Sequence, residues 1–279
     1  MSNNTNNCWA CSFVVAKKKK PLKKKRKSFL IKVLKKTGIV LLVLFLVSLL
    51  LPIAYRWVNP PITPLMLIRK VQDGSPIEKK WVPLEDISPN MVVCAIASED
   101  NNFLGHRGFD WGAIQKAIDL RKDGNKKRGG STISQQTAKN VFLWSGRSWL
   151  RKGLESYFTV LIETFWSKQR IMEVYLNVIE MGNGIYGTQA AAEIYFHTSA
   201  KKLTLRQAAL ITACYPDPRH RNPAKATPYL NKRSNSISQL TKKIGKISFS
   251  EESIKAARER FKAREEKRRK KIDGKLLDL

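Results

Sequence analysis

Leu150-Arg151-Lys152-Gly153-Leu154-Glu155-Ser156-Tyr157-Phe158-Thr159-Val160-Leu161-Ile162-Glu163-Thr164-Phe165 is the stretch that decides the fold. Its apolar members Leu150, Leu154, Tyr157, Phe158, Leu161, Ile162 and Phe165 recur every three or four residues, the period of an α-helix with one buried face. On a wheel of about 100° per residue, Arg151 and Glu155 fall at the edge of that stripe and Lys152 well away from it. Arg151 and Glu155 are four positions apart and therefore neighbours on the helix surface, at the border between core and cavity.

Outward from this helix the same period holds, and no strand alternation persists between Trp81 and about Gly245. Ser88-Pro89 opens a helix, with serine as cap and proline in the first turn. That helix carries Met91, Val92, Ala95 and Ile96 inward and ends near Glu99. Asp110 caps a second helix through Trp111, Ile114, Ala117 and Ile118. Ser131 or Thr132 caps a third, which carries Gln136, Lys139 and Asn140. Further helices are predicted over 168–177, 188–197, 204–214 and 228–243, with Gly182, Gly184 and Gly187 in one turn. Residues 251–272 read as a charged, frayed or coiled-coil-like helix, solvated rather than catalytic. The expectation is an all-α domain.

The 279 residues carry a formal charge of +30 and 43% apolar side chains, enough for a sizeable core. The charge is unevenly placed. Residues 17–36 hold 12 Lys/Arg and no acid, and the first acidic residue is Asp73. Residues 37–250 still hold 29 basic against 15 acidic side chains, which favours an anionic partner. From Thr37 to Tyr55 there are 19 residues without a charge, just enough to span a bilayer core of about 30 Å. The run exceeds the roughly 7–15 apolar residues of a cleaved signal peptide and lacks a small-x-small cleavage site. The expected organisation is a basic cytoplasmic tail over 1–36, a transmembrane helix over 37–55, a proline-rich stalk over 56–80, a folded domain over 81–245 and a charged tail over 246–279. The lysines and arginines before the span keep the N-terminus cytoplasmic by the positive-inside rule and the remainder outside. Cys8-Trp9-Ala10-Cys11 lacks the two further ligands of a zinc site, and Cys94 and Cys214 sit on apolar helical faces as buried thiols.

Two polar patches lie between these apolar runs: Glu99-Asp100-Asn101-Asn102-Phe103-Leu104-Gly105-His106-Arg107-Gly108, and Gly129-Gly130-Ser131-Thr132-Ile133-Ser134-Gln135-Gln136-Thr137-Ala138-Lys139-Asn140. Burying an unpartnered polar group costs roughly 1–3 kcal/mol, so such density asks for a reason. Glu99, at the end of an apolar helix and beside Asp100, has the setting of a general base, although a lone carboxylate there also fits a solvated helix end. His106 alone fits a backbone hydrogen bond in a folded loop. The basic loop 121–128 leads into a glycine-opened helix N-terminus that offers N–H groups and hydroxyls to an anion, or is simply an ordinary capped helix. Lys139 and Arg151 add cations suited to phosphate. The P-loop pattern G-x-x-x-x-G-K-S/T is absent.

In their order and spacing these patches resemble the monofunctional biosynthetic peptidoglycan glycosyltransferases (transglycosylases), relatives of the glycosyltransferase module of class A penicillin-binding proteins. The matching residues are Glu99-Asp100-x-x-Phe103-x-x-His106-x-Gly108, then Gly129-Gly130-Ser131-Thr132-Ile133-Ser134-Gln135-Gln136-x-x-Lys139-Asn140, then Arg151-Lys152-x-x-Glu155. Lys168-x-x-Ile171-Met172-Glu173-x-Tyr175-Leu176-Asn177 and Gly187-x-x-x-Ala191-Ala192-x-x-Tyr195-Phe196 continue the match over roughly 81–225. Asn101-Asn102 and Met172 depart from the usual pattern.

The resemblance implies a lysozyme-like helical fold, a bacterial cytoplasmic-membrane location and polymerisation of lipid II into β-1,4 glycan strands, with undecaprenyl pyrophosphate released. It implies that Glu99 and Glu155 are the catalytic pair. Glu99 would be the base for the acceptor 4-hydroxyl, and Glu155 a support acting through the donor phosphates or their cationic partners. Lys139, Arg151 and Lys152 would neutralise the pyrophosphate. Thr132, Gln136 and Asn140 would contact substrate, and Asp100, Phe103 and His106 would bind or position it through the loop. No cofactor and no metal ligand set is expected, and a divalent cation stays open. The partners implied are lipid II, the growing glycan chain and the membrane, with room for other cell-wall synthesis proteins and none for nucleic acid. Ser199-Ala200-Lys201-Lys202 and Lys36-Thr37-Gly38 imitate transpeptidase motifs in the wrong order, so polymerisation without crosslinking is expected. A lysozyme-like hydrolase needs no cation cluster. A nucleic-acid or lipid-binding module would interleave aromatic and basic residues on one face.

Overall fold

The computed structural model describes residues 22–122, 129–146 and 148–277, with side chains over 31–120, 129–146 and 148–270. Residues 1–21 of the basic tail, Cys8 and Cys11 among them, lie outside the described residues, as does the basic loop 121–128 apart from the backbone of its first two residues. Contacts divide the chain into two units, 1–48 and 49–279.

Helix α1 runs from Leu22 to Ala54. Its 24 residues Ile31–Ala54 are long and apolar enough to cross a membrane. The helix begins before the uncharged run, where leucine, lysine and arginine are themselves good helix formers. In the second unit, the Trp166 indole N–H donates to the Pro52 carbonyl at 2.7 Å. The Arg170 guanidinium donates to the carbonyls of Tyr55 and Val58 and to the Asn59 side chain, at 2.9–3.1 Å.

The stretch read as a stalk contains a helix. Helix α2, Pro64–Asp73, is capped by Thr63 and closed by Gly74 in the left-handed region at φ 64°. Leu65 and Met66 are buried, and α2 packs against α5, Ile133–Phe142. Two buried side chains in ten residues flanked by prolines make a weak periodic signal, and burial against a distant helix decides the conformation.

Among the described residues the rest is helical: α3 Pro89–Glu99, α4 Trp111–Lys122, α6 Trp149–Phe165, α7 Lys168–Val178, α8 Thr188–Phe196, α9 Leu205–Cys214, α10 Pro228–Ile244 and α11 Glu251–Leu277. Helix α9 packs against α3 and α10, and α5 against α6 and α7. The core they share includes Phe103, Met91, Ile162, Tyr175 and Tyr186, none with measurable exposure. The all-α class holds, with one addition. A three-stranded sheet of β1 Glu78–Lys79, β2 Glu180–Gly182 and β3 Ile185–Tyr186 has the order β1–β3–β2, parallel for β1–β3 and antiparallel for β2–β3. Strands of two or three residues are too short to display alternation in a sequence.

The stripe of α6 faces the core from Leu154 onward, whereas Leu150 is 70% exposed. Periodicity fixes the side that faces inward but not how far the neighbouring helices reach along it. Cys94 and Cys214 are free and buried, and burial pushes their thiols up to about 12 and about 11. Helix α11 is not solvated all round: Ile254, Ala257 and Phe261 are half-buried along one side.

Candidate active site

Glu99 is the last residue of α3 and is half-buried. Its Oε2 accepts from the Gln136 amide at 2.9 Å and its Oε1 from the Ser98 hydroxyl at 2.9 Å. Gln136 in turn accepts from the Tyr175 hydroxyl at 3.2 Å. Burial holds the hydroxyls of Tyr175 and Tyr215 well above the ordinary tyrosine value, and the Glu99 carboxylate adds to that. Both phenols therefore stay protonated beside Glu99. Ser98 also accepts from Arg233 on α10 at 3.3 Å. Gln136 therefore lies against the candidate base itself, and Ser98, Tyr175 and Arg233 join the site although spacing and residue type assign them no role there. Tyr175 was visible within the Lys168–Asn177 match; its hydrogen bond to Gln136 was not.

The loop after Glu99 is locked from beneath. His106 Nε2 lies 2.9 Å from Asp100 Oδ2, and that same oxygen accepts from the Ile133 N–H at 3.0 Å. One carboxylate thus ties the first polar patch to the start of α5. Thr132 adds a second tie. It caps α5 in a capping box with Gln135, and its hydroxyl donates to the Gly108 carbonyl at 2.6 Å. Phe103 lies under the Lys168 ammonium, 4.6 Å from the ring centre, and Lys168 pairs with Glu163 at 2.7 Å. Glu163 also accepts from Ser134. Phe103 is wholly buried and His106 and Thr132 are 2% exposed. Asp100 and Asn140 are buried too. Phe103, His106 and Asn140 thus lie beneath the surface, whereas Asp100 and Thr132 keep an edge on the cavity beside Glu99. Thr132 and Asp100 each turn a polar atom to a backbone group that helix and loop leave unsatisfied.

The cations gather on α5 and α6. Glu155 is 3% exposed, and its two oxygens receive Arg151 at 2.7 Å and Lys152. Both of its oxygens are taken by cations, so it holds those cations in place. Burial lowers the Lys139 ammonium below its ordinary 10.5, opposed by Glu155 and aided by Arg151 and Lys152. The structure thus groups Glu99 with Gln136, and Glu155 with Arg151, Lys152 and Lys139. Among the described residues no group of three or more His, Cys, Asp or Glu side chains is placed to hold a metal ion.

A cavity of about 380 Å³ opens beside Glu99, lined also by Asp110, Lys116, Gly130 and Ser131. A larger one of about 650 Å³ against Lys80, Trp81 and Glu193 contains no residue of either polar patch. A half-buried carboxylate with two hydrogen-bond donors, next to a cavity and on the same helical body as a half-buried cation cluster, can take a proton from a hydroxyl and stabilise an anionic leaving group.

The transglycosylase family model matches residues 66–242, so the chain belongs to the transglycosylase family, whose domain is lysozyme-like and helical. The match begins inside α2, in the stretch read as stalk. The chain is 54% identical over 212 residues to a biosynthetic peptidoglycan transglycosylase of Caulobacter vibrioides, covering 75% of this chain and 89% of that protein. It is 47% identical over 210 residues to that of Rhodospirillum centenum, with 75% and 91% covered, and 50% identical over 221 residues to that of Bacteroides thetaiotaomicron, with 77% and 89% covered.

Proposed function

We propose that this chain is a peptidoglycan glycosyltransferase that polymerises lipid II, with Glu99 as the base. In this reading the Glu99 carboxylate takes the proton of the acceptor sugar's 4-hydroxyl. The oxygen attacks the anomeric carbon of the lipid-linked donor from the face opposite the pyrophosphate. One carbon–oxygen bond forms as another breaks, the configuration inverts and undecaprenyl pyrophosphate departs. Gln136 and Ser98 aim the carboxylate. Arg151, Lys152 and Lys139 receive the negative charge that grows on the leaving group, and Glu155 orients them. Asp100, Phe103, His106, Thr132 and Asn140 hold the two polar patches in register. No step calls on a cofactor.

The observation that carries this reading is the pairing, within a transglycosylase-family chain, of a half-buried Glu99 hydrogen-bonded by Gln136 with a Glu155 that holds two cations. The cations favour a pyrophosphate-releasing transferase over a lysozyme-like hydrolase, which has no anionic leaving group to stabilise. The apolar helix and the preceding basic run support a single-pass anchor in the bacterial cytoplasmic membrane, with residues 1–36 cytoplasmic and the catalytic domain outside. Incubating the purified chain with labelled lipid II tests the reading. Glycan polymer is the expected product. Cleavage of preformed glycan without polymerisation would establish the hydrolase, and no turnover of either substrate would sink both.

A further inference from the structure

Helix α11 lies beyond residue 242, where the family match ends, yet it packs against the loop that follows Glu99. Its inner side is one stripe, Ile254, Ala257, Phe261, Glu265 and Arg268, at spacings of three and four. Two glycines of the body admit that stripe. A Cβ on Gly105 would lie 2.7 Å from Phe261 Cβ and 3.0 Å from the Ala257 carbonyl, and one on Gly112 would collide with Glu265. Gly105 is outside the left-handed region, so its own backbone would accept a side chain. The three atoms nearest to such a Cβ all belong to α11, so the helix alone is what it would meet.

Two side chains of α11 grip this loop. The Phe261 ring meets His106 edge-on at 6.0 Å, and Phe103 meets the same imidazole at 6.4 Å. His106 in turn holds Asp100, the neighbour of Glu99. Arg264 Nη1 donates to Asn102 Oδ1 at 2.9 Å, and the Asn102 amide donates to Asp110 Oδ2 at 2.8 Å. Asp110 accepts from the Ala113 N–H at the start of α4, so Asn102 bridges α11 to α4. Asn102 is also one of the positions at which the loop departs from the pattern it otherwise resembles, and its partner lies on the helix outside the family match. The loop after Glu99 is thus held by α4, α5 and α11 together. Where this loop sits determines where the carboxylate at its start points. We infer that α11 is a positioning element of the active site, with Phe261 and Arg264 as positioning residues that keep the loop, and through it Glu99, in register. This rests on the proposed glycosyltransferase reading.

The test uses the full-length chain, with steady-state polymerisation of lipid II and amide hydrogen exchange in the loop as readouts. The variants are Phe261→Ala, Phe261→Leu, Arg264→Gln, Gly105→Ala and the double variant Gly105→Ala with Phe261→Ala. Phe261 is half-buried and Arg264 exposed, so the fold survives, and thermal melting checks that. Phe261→Ala and Gly105→Ala are each expected to lower kcat about tenfold with KM within about twofold, the signature of a catalytic group slightly displaced. Phe261→Leu is expected to recover most of the loss, and Arg264→Gln to show a smaller one in the same direction. Both substitutions loosen one contact, so the double variant is expected to lose no more than the worse single, whereas independent effects would multiply to about a hundredfold. The amides of Phe103, Gly105 and His106, which bond within the loop, are expected to exchange faster in both single variants. Wild-type kcat and wild-type loop exchange in Phe261→Ala and Gly105→Ala overturn the inference while leaving the glycosyltransferase reading intact, and losses that multiply in the double variant overturn it as well. Absence of polymer from wild type would instead remove that reading, and the exchange rates would still decide whether α11 holds the loop.

Discussion

The Gln136 amide donates to Glu99 Oε2 at 2.9 Å while its own oxygen accepts from Tyr175. Gln136 thereby fixes the direction of a carboxylate whose other oxygen is held by Ser98, and it links the end of α3 to α5 and α7. Glu99→Gln keeps the shape of the side chain and removes its ability to accept a proton. Polymerisation of labelled lipid II is expected to fall below detection in this variant, with a melting temperature close to wild type. Normal polymer from it would show that Glu99 is not the base.

Gln136→Ala frees the carboxylate to rotate without removing it. A loss of about tenfold to a hundredfold in kcat is expected, because misplacing a catalytic group by about 1 Å costs up to about 10²-fold. Product gels against time give the rate. If kcat is unchanged and only KM rises, Gln136 serves the substrate directly rather than the base.

Asp100→Ala leaves the His106 ring and the Ile133 N–H buried without their shared acceptor. Leaving buried polar groups without their acceptor costs about 1–3 kcal/mol each, so a clearly lowered chemical-denaturation midpoint is expected. A stability change under about 1 kcal/mol would mean that the loop is held by other contacts.

Glu155→Gln removes the charge that holds Arg151 and Lys152. A fall in kcat/KM of about a hundredfold is expected, comparable to the loss of one strong electrostatic donor at a leaving group. Because both cations are displaced, Arg151→Lys alone is expected to do less damage, and a reversed order would refute the holding role of Glu155.

Lys139 gives a pH prediction. Burial favours its neutral form, so the folded state releases this proton at a lower pH than the unfolded chain, whose value is the ordinary 10.5. Between those two values the unfolded state binds more protons, and stability from this group rises with pH. Activity runs the opposite way, since the leaving group needs the charge. The alkaline limb of the polymerisation profile is expected to begin below 10.5, and Lys139→Arg is expected to shift it upward. A limb that does not move with the substitution belongs to another group.

Most of the helices were legible. Those expected over 168–177, 188–197, 204–214 and 228–243 appear as Lys168–Val178, Thr188–Phe196, Leu205–Cys214 and Pro228–Ile244. Ser88-Pro89, Thr132, Thr204 and Thr227 supply local start signals whose hydrogen bonds reach only two or three residues along the chain. Helix α2 and the sheet were not legible, because Met66 and the β1–β3 pair gain their partners from residues far along the chain. Among the proposed site residues, the chemical types and the Arg151–Glu155 neighbourhood followed from spacing. That Thr132 and Asp100 spend their polar atoms inward, and that Tyr175 stands behind Gln136, did not.

The sequence by itself determined the helical period, the apolar span and the two polar patches, since each depends on residues a few positions apart. Only the tertiary structure decided which members of those patches are buried struts and which can meet a ligand, and only it laid Phe261 and Arg264 over the loop after Glu99. Such pairings depend on packing between segments more than 150 residues apart (Asn102 and Arg264 are 162 apart), and no local periodicity encodes that distance.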